Sequence, residues 1–113
     1  DNTTIVITGD HKSMSEKFFD NIDSNYVRTP YNCIINSAVE AKNNKNRSFS
    51  TMDMYPTILA AMGAKIEGDR LGLGTNLFSD KQTLMEELGF KTLDNELQKT
   101  SNYYNQKILE EKD

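Results

Sequence analysis

The feature that most constrains the fold is a continuous run of apolar and β-branched residues, Thr4 to Thr8, that ends at Gly9. A continuous run of this kind is typical of a strand buried on both faces, as in a parallel sheet flanked by helices. A second short apolar run, Tyr31 to Asn36, follows Pro30. The sequence therefore predicts an α/β fold with a mainly parallel sheet that contains both strands.

Composition and charge exclude several classes of protein. Only 36% of the 113 residues are hydrophobic, which is a small share for an independent core. The 13 basic and 17 acidic residues are interspersed and give a net charge of -4, so no basic stripe favours nucleic acid. Cys33 is the single cysteine, which excludes an internal disulfide and a cysteine-rich zinc cluster. No apolar stretch reaches the about 20 residues of a membrane-spanning helix.

Four segments have helical patterns. They are Ser13 to Phe19, about Met54 to Met62, Gln82 to Leu88 and about Asp94 to Leu109. In the first segment, Ser13 and Glu16 have the spacing of a capping box. The second has the clearest signals, since Asp53 is a good N-cap, Pro56 suits the first turn and Gly63 suits the position after the last turn.

Apolar stripes on two of these helices are expected to face the core. The stripe on the second helix is Tyr55, Ile58, Leu59 and Met62, and that on the last helix is Leu97, Tyr104 and Ile108. Two other segments are predicted to be exposed. Glu40 to Arg47 is rich in Lys and Asn, and Gly68 to Leu77 is rich in glycine, which indicates a surface loop with a tightly fixed backbone.

Asp10 and His11 are the main candidates for chemistry. They follow the first predicted strand directly, and His11 is the only histidine. In open α/β sheets, ligands bind outside the carboxyl ends of the strands, where adjacent side chains can converge. A carboxylate oxygen and a neutral imidazole nitrogen together suit Zn²⁺ or Mn²⁺. The alternative is a structural role, in which the pair caps the strand or forms a surface turn.

Other polar groups also have two interpretations. Lys12 and Ser13 are either catalytic groups or a solvated charge and a helix cap, and Arg28 either holds a phosphate or carboxylate or makes a surface ion pair. Lys12 and Arg28 are thus the candidates for substrate binding. The glycines of Gly68 to Leu77 could cradle a phosphate, but the Walker A lysine and the dinucleotide-binding spacing are missing, which favours a structural turn.

The order of four motifs along the chain resembles the C-terminal part of the alkaline phosphatase and sulfatase superfamily. The motifs are TIVITGDH, RTPYNCII, FSTMDMYPTILAAMG and GDRLGLGTNLFS, and they cover about residues 3 to 80. The chain is most similar to the branch of lipoteichoic acid synthases and membrane-oligosaccharide phosphoglycerol transferases. In sulfatases the Asp-His pair is usually followed by Gly-Glu, whereas Lys12 and Ser13 stand at those positions.

This resemblance implies a fold and a division of the chain. The fold would be the C-terminal portion of an alkaline phosphatase-like α/β/α sandwich with a mainly parallel sheet. Residues 1–113 would be the C-terminal part of a sulfatase-like catalytic domain, with residues 1–80 as the family-like segment and residues 81–113 as C-terminal helices. The family's threonine nucleophile, further acidic ligands and glycerophosphate-binding residues lie in upstream motifs that have no counterpart in this sequence, so the isolated chain is expected to be inactive.

The resemblance also implies an activity for the parent protein. Asp10 and His11 would ligate a catalytic divalent ion, with Mn²⁺ as the first expectation and Zn²⁺ or Mg²⁺ as alternatives. A threonine would attack the phosphodiester of a phosphatidylglycerol headgroup, and a hydroxyl of a glycan or of polyglycerolphosphate would resolve the covalent glycerophosphoryl-enzyme. The parent would act at the outer face of the cytoplasmic membrane or outside the cell.

Two other classes of protein stay open, and one further property is expected of the isolated chain. The classes are a sulfatase or phosphodiesterase of the same superfamily and a noncatalytic interaction module.

A fragment of the domain would leave the edges and faces of its two strands uncovered. It is therefore expected to self-associate by burying Ile5 and Ile7 or Ile34, or to be less stable than a self-sufficient domain.

Overall fold

Both predicted strands form, but they pair with each other in opposite directions. In the computed structural model of the chain, which describes residues 2–23 and 25–109, strand β1 spans Ile5–Thr8 and strand β2 spans Asn32–Ile35. The two strands are antiparallel, with Ile5 opposite Ile35 and Thr8 opposite Asn32.

The prediction of a mainly parallel α/β/α sandwich is therefore wrong. Among the described residues the sheets are two antiparallel pairs. Parallel neighbours need a crossover, usually an α-helix, between them. In the described part of the connection from β1 to β2 the helical structure is one 3₁₀ turn, Glu16–Phe19, and the chain returns beside β1 in the opposite direction.

The two faces of the β1–β2 sheet are covered unequally. Val6 and Ile34, which lie opposite each other, are half-buried. The other face is formed by Ile5, Ile7, Cys33 and Ile35, and the three isoleucines are 48%, 49% and 47% exposed. We call these four residues the open face. The expectation that a β-branched run is buried on both sides fails because this part of the chain supplies cover for one side only.

The predicted helix from Ser13 to Phe19 is also wrong. Only the 3₁₀ turn forms, closed by a hydrogen bond of 3.1 Å from Phe18 N to Ser15 O, and Ser15 precedes it without a side-chain cap. Phe18 is 74% exposed, so the segment has no buried apolar stripe to stabilise a longer helix.

The second predicted helix forms at the expected place. A 3₁₀ turn, Thr51–Asp53, leads into helix α1, Met54–Ala61. Pro56 lies in the first turn of α1, and Gly63 follows its end with a φ of 94°. The predictions that Pro56 lies in the first turn and that Gly63 follows the last turn are confirmed. The cap differs, since the capping box belongs to the preceding turn and joins Ser50 to Asp53.

The core face of α1 is not the predicted stripe. Tyr55 and Met62 are 62% and 65% exposed, whereas the buried positions are Met54, Pro56, Thr57, Ala60 and Ala61. The physical reason is a close approach of backbone, because a Cβ at Gly74 would collide with the carbonyl of the turn before α1. A helix held this close buries Thr57, Ala60 and Ala61 beside Met54 and Pro56, and two residues of the predicted stripe, Ile58 and Leu59, are half-buried.

The glycine-rich segment is a packed hairpin, which corrects the prediction of a surface loop. A 3₁₀ turn, Glu67–Asp69, precedes strands β3, Arg70–Leu71, and β4, Gly74–Thr75. Gly72 makes the turn with a φ of 59°. The residues of β4 and the following Asn76 are buried. Strand β4 lies against α1, and Thr75 O accepts a hydrogen bond of 3.4 Å from the Thr57 hydroxyl, whereas Asn76 N donates to Asp69 O at 2.8 Å.

The C-terminal region is a series of short helices. They are α2, Leu84–Leu88, α3, Phe90–Leu97, α4, Asn102–Tyr104, and a π-helical turn, Asn105–Leu109. The predicted helix from Asp94 to Leu109 is wrong, since Ser101 accepts a hydrogen bond of 3.1 Å from Tyr104 N and starts a new helix there. The apolar stripe predicted for that helix, Leu97, Tyr104 and Ile108, is exposed. The buried residue of α3 is Leu93. Residues 110–113 of the C-terminal segment lie outside the described residues.

The helices are too short to cross a bilayer, and the hydrophobic core is small. Within residues 2–23 and 25–109 no helix is long and apolar enough to span a membrane.

The buried apolar side chains are Met54, Ala60, Ala61 and Leu93. The chain exposes 9278 Å², whereas a compact monomer of this mass exposes about 6,300 Å². Its radius of gyration is 17.4 Å, against about 13 Å for a compact domain of similar length.

Candidate functional site

The Asp-His pair lies directly after β1. Gly9 N donates a hydrogen bond of 3.0 Å to Tyr31 O, which holds the end of β1 against β2. A Cβ at Gly9 would lie 3.2 Å from that of Pro30, so the strands are close at this point. The chain then bends, and Asp10 Oδ1 accepts a hydrogen bond of 2.9 Å from His11 N.

The imidazole of His11 has its two nitrogens in different surroundings. Nδ1 lies 2.6 Å from the carbonyl oxygen of Lys12, and Nε2 lies 3.6 Å from Asp10 Oδ1. A carbonyl can only accept, so this contact places the proton of the neutral ring on Nδ1 and leaves the lone pair of Nε2 on the side of Asp10. Metal-binding histidines are usually oriented in this way, by a hydrogen bond from the other ring nitrogen.

The separation of the two side chains suits a shared divalent ion and suits equally an ion pair between Asp10 and a protonated His11, and the ligand set is incomplete. Two ligands bound to one ion at about 2.1 Å lie about 3 to 3.5 Å apart, close to the separation of Nε2 and Oδ1. The side chains of His11 and Asp10 are 56% and 88% exposed, so an ion can reach them. Within the described ranges no group of three or more His, Cys, Asp or Glu side chains could hold a metal.

The other predicted site residues lie on the segment after His11 or next to it. The guanidinium of Arg28 lies over the ring of Phe19, 4.4 Å from its centroid, and Nη1 donates to Ser13 O at 3.4 Å. Among the described side chains, Arg28 therefore contacts a ring and a backbone carbonyl, and no ion pair of Arg28 with a carboxylate is seen there. Ser13 Oγ accepts from Ser15 N at 3.3 Å and forms a local turn rather than a helix cap. The side chain of Lys12 is exposed.

A phenol with a shifted pKa lies beside the site. Tyr31 and Cys33 point to the same side of β2, and the hydrogen bond to the Cys33 side chain raises the pKa of Tyr31 above its usual value of 10.0. The charge of Cys33 and partial desolvation act in the same direction. Tyr31 therefore keeps its proton to a higher pH than a free tyrosine does.

The ion pair between Arg47 and Glu86 is a feature that the sequence pattern does not predict. Arg47 donates from Nε to Glu86 Oε1 at 2.7 Å and from Nη2 to Oε2 at 3.1 Å. The side chains are only 8% and 17% exposed. The hydrogen bond from Arg47 lowers the pKa of Glu86 against the opposing effect of desolvation. The capping-box spacing of Thr83 and Glu86 is a local signal that indicates the helix start. No local pattern indicates the partner of Glu86, because Arg47 lies 39 positions earlier.

The third and fourth family-like motifs are joined by a buried carboxylate. Asp53 is 2% exposed, and its Oδ1 accepts from Thr75 N at 2.7 Å while Oδ2 accepts from Ser50 N at 2.8 Å. Thr57 adds a second link, since its hydroxyl accepts from Leu77 N at 2.9 Å. The glycine-rich segment is thus a structural element, as the alternative interpretation predicted.

A cleft opens beside the Asp-His pair. Its volume is about 700 Å³, and its lining includes Gly9, Pro30, residues 47–51, Met54 and Met85. Gly9, which immediately precedes Asp10, lines the cleft, whereas Asp10 and His11 are not among its lining residues.

Comparison of the chain with protein-family models, curated proteins and solved structures finds no match. The relationship to the alkaline phosphatase and sulfatase superfamily therefore stays a prediction from the motifs.

Proposed function

We propose that the chain is the C-terminal part of a metal-dependent phosphoglycerol transferase of the alkaline phosphatase and sulfatase superfamily. The observation that carries this proposal is the arrangement of His11, with Nδ1 on a carbonyl and Nε2 facing the Asp10 carboxylate. A surface turn could form without an oriented imidazole, whereas a metal ligand needs one.

In this proposal each residue of the pair has a defined task. Asp10 contributes negative charge, and the Lys12 carbonyl keeps the proton of His11 at Nδ1 so that Nε2 can bind. When bound, a divalent ion, Mn²⁺ first and Zn²⁺ or Mg²⁺ as alternatives, would supply positive charge that lowers the pKa of the nucleophile and offsets charge on the phosphate oxygens.

The remaining groups of the reaction belong to other parts of the protein. A threonine nucleophile and further acidic ligands would complete the site, and the substrate would be the headgroup of phosphatidylglycerol at the outer face of the cytoplasmic membrane. In this proposal Arg28, whose guanidinium donates to Ser13 O on the segment after His11, would offset the charge of a phosphate group. The open face supports the same interpretation, because further parts of a larger domain would cover it.

The test is a pair of substitutions in the intact transferase. Asp10→Ala or His11→Ala should abolish turnover of a fluorescent phosphatidylglycerol analogue and reduce bound metal, with little loss of fold, because both side chains are exposed. Asp20→Ala is the matched control, since Asp20 is an exposed carboxylate of the same connection. Near-normal turnover and metal content in the Asp10 or His11 variants would reject the assignment.

The isolated chain provides a second test. Because its described residues hold two ligands and no complete set, the 113-residue protein should bind Mn²⁺ or Zn²⁺ weakly in calorimetry and show no transferase activity. Robust turnover by the purified chain would show that it is not a fragment of the catalytic domain. Turnover of a sulfate ester or another phosphodiester by the parent, in place of phosphatidylglycerol, would assign it to a related hydrolase.

A further inference from the structure

The sequence around β1 reads the same in both directions. Thr4 to Thr8 is Thr-Ile-Val-Ile-Thr, with Val6 at its centre. When two copies of this segment run antiparallel about Val6, each residue lies opposite a residue of the same type. The segment is thus complementary to itself, which is what the interface of a twofold-symmetric dimer requires.

The hydrogen bonds of β1 identify the backbone groups that face its outer edge. In an antiparallel pair, residues whose N–H and C=O groups bond to the neighbouring strand alternate with residues whose groups point away from it. Gly9 N donates to Tyr31 O at 3.0 Å, so Gly9 is at a bonded position, and so is every second residue before it. The N–H and C=O groups of Val6 and Thr8 therefore point away from β2, toward the outer edge of β1.

This outer edge is open in the described part of the chain. The sheets there are β1 with β2 and β3 with β4, so no strand lies on the other side of β1. An open edge is a template for another strand, and proteins usually protect it with charged residues or proline. Residues 2–9 contain neither. The edge of β1 is thus available to a further strand.

A second copy of β1 matches the outward groups. In the register centred on Val6, the Val6 N–H of each copy donates to the Val6 carbonyl of the other, and Thr8 exchanges hydrogen bonds with Thr4. Ile5 of one copy then lies beside Ile7 of the other on the open face. Pairs of β-branched residues at such positions stabilise a sheet.

Charge and surface area also favour a second copy as the partner. The same register places Asp10, the first charged residue after β1, opposite the uncharged Asn2, so no like charges face each other. The chain exposes 9278 Å², which is about 3,000 Å² more than a compact monomer of its mass. A stable interface takes about 800 Å² from each partner, which the excess surface can supply.

We propose that the outer edge of β1 pairs antiparallel with β1 of a second copy of the chain, in the register centred on Val6. The two sheets then form one continuous sheet in the order β2-β1-β1-β2, and their open faces become one apolar surface. This dimer does not depend on the proposed function.

Amide hydrogen exchange of the full ¹⁵N-labelled chain over a concentration series tests the pairing. The N–H groups of Val6 and Thr8 gain a strand partner in the dimer, whereas those of Ile5 and Ile7 are bonded to β2 in each copy. As the dimer forms, exchange at Val6 and Thr8 should therefore slow by at least about tenfold, and exchange at Ile5 and Ile7 should change less.

A mixture of labelled and unlabelled copies tests the register. We expect an intermolecular NOE between Hα of Ile5 in one copy and Hα of Ile7 in the other, because these residues lie opposite each other without exchanging hydrogen bonds.

A pair of proline substitutions distinguishes the edge of β1 from the edge of β2. Thr8→Pro removes an N–H that points to the outer edge of β1 and keeps the bonds to β2, and proline is tolerated at such edge positions. It should raise the dissociation constant of the dimer, measured by light scattering, at least about tenfold, because each copy loses a donor to the other.

Asn32→Pro is the matched control. Asn32 lies directly opposite Thr8, so its N–H points to the outer edge of β2. Both substitutions also remove the hydrogen bond of 2.6 Å between the Thr8 hydroxyl and Asn32 Oδ1. Asn32→Pro should leave the dissociation constant almost unchanged, and the amide spectrum of each variant shows whether it has kept the fold.

Three results would overturn the proposal. One is a monomer at every concentration. Another is an equal effect of the two proline substitutions in folded variants, which would mean that the copies are not held by the edge of β1. The third needs no substitution and is unchanged exchange at Val6 and Thr8 over the range in which light scattering shows the dimer forming.

Discussion

At the scale of single residues, Asp53 and Glu86 join segments that are distant in sequence. Glu86 accepts from Arg47 and also from Thr83 N at 2.9 Å and Ser48 N at 3.2 Å, so its carboxylate holds α2 against the residues that line the cleft. Asp53 holds β4 against α1 in the same way. Each carboxylate is stabilised by several donors, and its removal would leave buried N–H groups without partners.

Glu86→Gln should therefore lower the free energy of unfolding by about 2 to 3 kcal/mol, because charged hydrogen bonds to Arg47 and to the backbone are lost or weakened. Urea denaturation followed by circular dichroism measures this change. Glu96→Gln is the control, since the ion pair of Glu96 with Lys99 is exposed. Equal effects of the two substitutions would show that the Arg47–Glu86 pair contributes no more than a surface pair.

The pH dependence follows from the lowered pKa of Glu86. Its unfolded value is 4.5, and the folded value lies below it, chiefly because of the hydrogen bond from Arg47. The stabilisation is thus fully present above about pH 4.5 and is lost as the pH falls through the folded pKa. The urea concentration at the unfolding midpoint of the wild-type chain should therefore decrease as the pH is lowered through this range. The midpoint of Glu86→Gln should decrease less. If the midpoints of the two proteins changed equally with pH, Glu86 would not be the origin of the loss of stability in acid.

At the scale of elements, the best-defined unit is α1 with the β3–β4 hairpin. The hairpin comes so close to the turn before α1 that only glycine fits at position 74. Thr57 ties the two together by donating to Asp53 O at 2.6 Å while accepting from Leu77 N. Short strands such as β3 and β4 are marginal alone, so this docking stabilises both the hairpin and the helix start.

Gly74→Ala should destabilise this unit by at least about 2 kcal/mol, because the added methyl group forces the hairpin away from Met52 and Pro56. Thermal unfolding and amide exchange of α1 measure the effect. Gly72→Asn is the control in the same hairpin, since a Cβ there meets open space and asparagine tolerates its φ of 59°. A Gly74→Ala variant as stable as Gly72→Asn would show that the close approach does not exist in solution.

At the scale of the whole molecule, the chain has far more surface than a compact protein of its mass. The excess is about 3,000 Å² over the value expected for a monomer, whereas a stable interface needs about 800 Å² from each partner. The open face is one apolar part of this surface, with three isoleucines about half exposed on a single sheet face. We therefore expect self-association to use the open face. Ile34, which was also predicted to take part, is half-buried on the other face of the sheet.

Light scattering over a concentration series should show a dimer or higher assembly of the isolated chain, with a melting temperature that rises with concentration. Ile7→Lys should shift the assembly toward monomer, because it places a charge on the open face. Leu97→Lys is the matched control, since Leu97 on α3 has the same 49% exposure as Ile7. A monomer at every concentration with a cooperative melt would show that the chain builds its own core.

The sequence by itself determined the features that depend on local chemistry. The β-branched runs fixed the places of β1 and β2, Pro56 and Gly63 fixed the limits of α1, and the dipeptide at the end of β1 located the candidate site. Each of these signals acts within a few residues, through side-chain shape, a missing N–H or a positive φ.

Only the tertiary structure decided how these elements meet. It made β1 and β2 antiparallel, turned the small residues of α1 toward the hairpin and paired Arg47 with Glu86 across the chain. Strand direction is set by the path of the connection, and the buried face of a helix is set by what packs on it, so neither follows from local pattern.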